Sequence, residues 1–236
     1  MKIKKLILTS AVAGMVLVSV TTVALAASIV QNGSFEYGTE PGLYLQVDTE
    51  DTDIVNWEVV SGNVEIIGTY WPASEGSRSI DLSGLVAGSI RQPFPTEAGK
   101  NYIVKFDMAG NPEGGSGIKT LTADVGGDPI SPFSFDTTNH TKNTKETMGW
   151  ETRNFEFTAT AGTTVLTFTS NVDSAYGPAL DNVIVEEIVS LPPQTVMPAD
   201  KEECKKDGWE EFGVFNNQGD CVSYVETDGQ NEPANQ

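Results

Sequence analysis

Two short motifs carry the acidic side chains with the strongest claim to chemistry. Asn32-Gly33-Ser34-Phe35-Glu36 stands at the start of a long strand-rich region, and Gly177-Pro178-Ala179-Leu180-Asp181-Asn182-Val183 stands at its end. The first and last strands of an antiparallel sandwich are often neighbours, so Glu36 and Asp181 are expected to meet across the fold. Two carboxylates held close together repel unless a cation sits between them, and a hard ion with oxygen ligands, such as calcium, suits that position. The alternative is that both accept hydrogen bonds from backbone amides and tie strand ends together.

A second set of residues suits sugar recognition. Pyranose rings present apolar faces that stack on aromatic rings, while nearby polar groups bond the hydroxyls. Tyr70 and Trp71 lie in the turn-rich segment 68–76, with Glu75 and Arg78 beside them, and Trp150 and Tyr176 can contribute from other loops. For each residue alone a packing role competes, and Trp57 is expected in the core. Catalysis has less to work with. The single histidine, His140, sits in a polar loop with no Gly-x-Ser-x-Gly motif to supply a nucleophile. A glycosidase needs two carboxylates at a set separation, but among 33 acidic residues some pair always arises by number. The Gly-rich stretch 110–117 does not join a strand to a helix, so it reads as a turn and not as a phosphate cradle. A non-enzyme is expected.

The elements that must position these groups are strands. Ile54–Val60, Asn63–Ile67, Ser79–Leu82, Ser89–Phe94, Tyr102–Met108, Leu121–Val125, Thr152–Thr158, Thr164–Thr169 and Asn182–Ile188 are short β-branched and aromatic runs bounded by turn residues. Several alternate: Tyr102, Val104, Phe106 and Met108 share one face, as do Phe155 and Phe157. No segment keeps a helical period. The pattern predicts an all-β jelly-roll sandwich, with surface loops at 37–53 and 136–148.

The N-terminus indicates export. Three lysines within residues 1–5, an apolar run and Ala24-Leu25-Ala26 form a secretory signal peptide over 1–26, so a secreted or cell-surface protein is expected, with no membrane insertion after cleavage. Losing those lysines moves the formal charge from −19 to −22. Such an anionic surface repels nucleic acid and acidic headgroups. The region 27–189 is expected to be the sandwich. A Pro-rich linker at 190–200 follows, then a tail module at 201–227 and an unstructured end at 228–236. Leu191-Pro192-Pro193-Gln194-Thr195 lacks the apolar helix and basic tail of a cell-wall sorting signal. Cys204 and Cys221 are the only cysteines, and in an exported protein an even count reads as one disulfide, worth about 3 kcal/mol by loop entropy.

Further motifs fall in order between the two acidic ones: Ser61–Gly68, Gly76–Leu82, Gly88–Gln92, Phe106–Pro112 and Gly149-Trp150. Together they resemble the bacterial choice-of-anchor C surface-protein family, which is similar to plant cell-wall proteins with galactose-binding-like domains. The resemblance covers roughly 29–189 and implies a galactose-binding-like jelly-roll sandwich, here with a short disulfide-bearing C-terminal tail. It implies a non-catalytic role in binding polysaccharide or cell-surface glycan. It also implies a structural calcium at Glu36 and Asp181, with main-chain carbonyls near Asn32 and Ser34 as further ligands. The alternative function is a structural or adhesive extracellular protein that binds protein partners and no glycan.

Overall fold

The computed structural model describes residues 23–25, 27–130, 132–190 and 197–233. Most of the expected leader and the centre of the expected linker lie outside the described residues. The chain divides into two compact units, one of which is 24–189 and the other of which contains the tail.

The larger unit is a sandwich of two sheets. One has the strand order β11 (Glu151–Thr158), β7 (Asn101–Gly110), β13 (Pro178–Ser190), β5 (Ser79–Asp81), β4 (Asn63–Ile67) and β2 (Tyr44–Asp48), with β1 (Val23–Leu25) also pairing with β13. The other runs β10 (Phe133–Asp136), β8 (Ile118–Val125), β12 (Thr163–Ser170), β6 (Ser89–Pro95) and β3 (Glu58–Ser61), with β9 (Asp128–Pro129) beside β8. Every pairing along these two paths is antiparallel. The fold is thus the all-β sandwich that the strand pattern predicts.

Alternation places the core. Tyr102, Val104, Phe106 and Met108 of β7 are buried on the inner face, opposite Leu166 and Phe168 of β12. Aromatic rings bridge the sheets in a chain. Phe35 meets Trp57 at 5.5 Å between centroids, Trp57 meets Phe168 at 6.4 Å, and Phe106 meets both Phe168 and Phe133 at 5.0 Å. Trp57 is therefore the core residue that its surroundings suggest.

Three findings differ from the sequence reading. Tyr44–Asp48 is a paired edge strand inside the stretch expected to be a loop; its alternation is short and hidden among acidic and turn residues. In the tail, Gln218–Glu226 forms a helix, α1, although its Gly, Ser and Val residues give it weak helical propensity. Local ties compensate. Asn217 caps the helix by accepting from the Asp220 amide, and Cys221 within it is joined to Cys204, with Cα atoms 5.7 Å apart. Phe215 packs on Phe212 and Tyr224 around that disulfide. Residues 228–230, expected to be unstructured, donate amide hydrogen bonds back to carbonyls of the preceding turn.

Phe106 touches partners on both sides, so truncating it leaves a cavity that the sheets cannot close. Phe106→Ala is expected to lower stability by about 3–5 kcal/mol, read as a lower denaturant midpoint at an unchanged slope.

Candidate functional site

The two acidic motifs do come together. The Val183 amide donates to the Gly33 carbonyl at 2.8 Å. A Cβ on Gly33 would stand 1.9 Å from the Val183 carbonyl oxygen, so only glycine fits there. Asn32 fixes the approach: its side chain accepts from the Tyr37 amide at 2.9 Å and donates to the carbonyls of Tyr37 and Val55.

Both carboxylates grip one turn. Glu36 accepts from the Ser77 amide, the Ser77 hydroxyl and the Arg78 amide, all at 2.7 Å. Asp181 accepts from the amides of Ser74 at 2.7 Å, Glu75 at 2.9 Å and Asn182 at 2.6 Å. Gly76 lies between the two grips at φ 67°, where a Cβ would fall 2.4 Å from Glu36 Oε1. Asp107 stands directly opposite Asp181 on β7. It accepts from the hydroxyls of Ser74 and Thr152 at 2.6 Å and from the Asn182 amide group at 3.0 Å.

This donor set does not fit calcium. The ion takes six to eight oxygens, whereas these carboxylates point their oxygens at N–H and O–H donors. The Asn32 carbonyl already accepts from the Phe35 amide and the Trp57 indole. Among the described residues no three His, Cys, Asp or Glu side chains are grouped to hold a metal. The geometry is that of the backbone-amide alternative.

A fourth acid organises the loops at the same end. Asp81 is fully buried and accepts from the Ser83 amide at 2.9 Å, the Gly177 amide at 3.2 Å and the Asn111 side chain at 2.8 Å. It thereby ties together the connections that follow β5, β7 and β12. Glu65 is its cross-strand neighbour on β4. Burial pushes the carboxyls of Asp81, Asp181 and Glu65 up to about 7. Glu65 adds to the rise at Asp81 and Asp107 adds to it at Asp181, while the N–H donors oppose it. Glu36 is the reverse case: burial pushes it up, but the Ser77 and Arg78 donors outweigh that and hold it below the usual range.

The expected ligand residues separate. Trp71 is only 3% exposed and donates its indole N–H to Ser79 Oγ at 3.0 Å, so it packs in the core and offers no stacking face. Arg78, 9% exposed, spends its guanidinium on the carbonyls of Gly38 and Thr39 and on Glu40 at 2.5 Å. Both lie beneath the turn, which leaves them little surface for a ligand. Trp150 is half-buried, with its indole N–H on the Pro72 carbonyl at 3.1 Å. Glu75 is exposed.

Tyr70 lies in a different setting. Its hydroxyl bonds Glu113, the Lys145 ammonium sits 3.5 Å from its ring centroid, and Tyr44 meets it edge-on at 5.4 Å. Next to Glu113, Gly114 packs against Tyr176. Tyr44 and Tyr176 are 50% and 42% exposed. A strip thus runs Tyr44, Tyr70, Lys145, Glu113, Tyr176, and it includes only two residues singled out by sequence. The alternation of Tyr44-Leu45-Gln46-Val47 was the one available signal for the first; Glu113 and Lys145 carried none. His140 belongs to packing: its ring lies 4.6 Å from Phe135 and its Nε2 3.2 Å from Glu151.

Fold and site together define an all-β sandwich with a shallow, aromatic and polar end made of loops. The chain belongs to the family described as "Protein of unknown function (DUF642)", whose model matches residues 28–186. Over 169 residues, 68% of the chain, it is 34% identical to Halomucin of Haloquadratum walsbyi, and it spans 2% of that protein's length. Solved structures with similar chains include the CBM22-1 xylan-binding domain of Paenibacillus barcinonensis Xyn10C, at TM-score 0.45 and 14% identity, covering 74% of this chain and all of that one. A family 35 carbohydrate-binding module from an environmental isolate gives 0.43 and 19%, covering 63% and 99%. TmCBM61, solved with β-1,4-galactotriose, gives 0.42 and 16%, covering 68% and 98%.

Two outcomes are expected. Asp81, Asp181 and Glu65 bind protons more tightly when folded than at their unfolded values near 4. Their contribution is therefore full at low pH and lost as pH rises through about 7. The melting temperature, followed by circular dichroism, should fall as pH rises from the acid range through about 7. Chelator-treated protein titrated with calcium should show no rise in melting temperature, since amides already satisfy Glu36 and Asp181.

Proposed function

We propose that this chain is a secreted, non-catalytic module that binds polysaccharide or a cell-surface glycan through the tyrosine strip at its loop end. The finer assignment to the choice-of-anchor C group of surface proteins is part of this reading. The observation that carries it is the pair of exposed rings, Tyr44 and Tyr176, flanking the Tyr70–Glu113–Lys145 cluster. Exposed tyrosines supply faces for stacking on sugar rings, and a carboxylate and an ammonium beside them supply partners for hydroxyls. Lys145 lies over Tyr70, so stacking falls to Tyr44 and Tyr176. Expected export rests on the leader-like residues 1–26, and no helix among the described residues is long and apolar enough to cross a membrane.

The competing reading, an adhesive protein that recognises protein, draws on the exposed apolar pair Leu85 and Val86. A glycan array separates the two. On the polysaccharide it identifies, Tyr44→Ala and Tyr176→Ala should each weaken retention about tenfold, equal to about 1.4 kcal/mol, with an unchanged melting temperature. Undiminished retention in the double variant would remove the strip from the reading.

A further inference from the structure

Lys145 is the part of the tyrosine strip that a neutral sugar leaves unexplained. Its ammonium stands 3.5 Å from the Tyr70 ring centroid and 3.4 Å from Glu113 Oε1. It therefore covers a ring face and closes that face to a pyranose. The Tyr70 hydroxyl bonds the other oxygen of the same carboxylate. An aromatic face and a carboxylate that converge on one point suit an ammonium, the ring through its negative quadrupole and the acid through its charge.

The seat and its occupant are held very differently. Tyr70 is half-buried and meets Tyr44 edge-on at 5.4 Å and Trp71 at 5.7 Å. Glu113 is anchored at its backbone: its amide donates to Asn111 Oδ1 at 3.0 Å, and Asn111 donates in turn to the buried Asp81 at 2.8 Å. The Tyr70 hydroxyl then fixes the Glu113 carboxylate and is the chief cause that holds it below the usual range. Lys145 instead enters on a long stem from the loop at 136–148, with its side chain 40% exposed. Among the described residues its ammonium touches only Tyr70 and Glu113. Exposed contacts of both kinds are weak, so the seat outlasts the departure of Lys145.

We propose that Lys145 is an internal stand-in for the ligand, and that the strip binds glycans with free amino groups, the ammonium of a deacetylated hexosamine displacing Lys145 from the Tyr70–Glu113 seat. The exchange conserves charge at the seat: the sugar ammonium inherits both contacts and the lysine ammonium returns to water. An N-acetylated sugar brings no charge to the seat, and a uronic acid sets a carboxylate against Glu113. A formal charge of −19 draws a polycation toward the protein. This inference rests on the glycan reading of the strip and narrows it, with Tyr44 and Tyr176 still supplying the stacking faces.

The test is calorimetric titration of the full chain with glucosamine oligomers and with N-acetylglucosamine oligomers of equal length, in mild acid where the sugar amines carry protons. The glucosamine oligomer should bind the more tightly. Lys145→Ala should tighten its binding further, by about threefold. Lys142→Ala removes the same charge from an exposed position of the same loop and should not tighten it. Glu113→Gln keeps an acceptor for the Tyr70 hydroxyl and should erase the preference for the amine. Weaker binding by Lys145→Ala would overturn the proposal, since Lys145 would then be a contact of the bound sugar. Equal or tighter binding of the N-acetylated oligomer would overturn it and leave the glycan reading standing. Equal binding of tetralysine would also overturn it, because the seat would then accept peptide amines as readily as sugar ones. If neither oligomer binds and no polysaccharide on the array is retained, the glycan reading falls and this inference falls with it.

Discussion

A carboxylate facing a cluster of backbone amides is the interaction on which the loop end of this sandwich depends. The turn at 74–78 crosses the outer face of a sheet and brings its amides against that face. Buried N–H groups must find acceptors. Asp181 supplies them at one end of the turn and Glu36 at the other. Because these acids come from the last strand and from the first motif, the turn is secured only when both ends of the sandwich are in place. Trp71 and Arg78 are drawn under it by the same closure, which removes them from the surface and leaves Tyr70 to be placed by its neighbours.

Acidic residues do a second, related task at Asp81. One side chain accepts from three separate connections, so loops of different origin share a common anchor. Burial of several acids near one another raises their proton affinity, and the donors around them limit the rise. The strongly negative composition is therefore not only a solvated surface; some of it is structural, set where loops would otherwise leave amides unpaired.

Much of the fold was legible because inward and outward residues alternate in β6, β8, β11 and β12 and in the first half of β7. The meeting of the first motif with the final one, at Gly33 and Val183, was legible too, since both motifs pair acids with turn residues at the ends of the strand-rich region. Backbone amides as partners of the acids stood as one of two readings, but which amides they meet was not legible. Their partners are main-chain amides of Ser74, Glu75, Ser77 and Arg78, and every residue other than proline carries an identical N–H. Only Gly76 hinted at the tight approach. Glu113 and Lys145 escaped notice for a different reason: loop residues have no periodicity to reveal which of them face each other.

The strand at the centre of the larger sheet has a consequence for how the chain comes to be folded. β13, 178–190, lies between β7 and β5, yet it follows all the other described strands in the chain. Until the ribosome has released it, β7 and β5 have no common neighbour and the sheet is open at its middle. Such sequence-distant pairing makes closure slow. The order of the strands along the chain thus sets when this sheet can close, and its middle is the part completed after its neighbours are made.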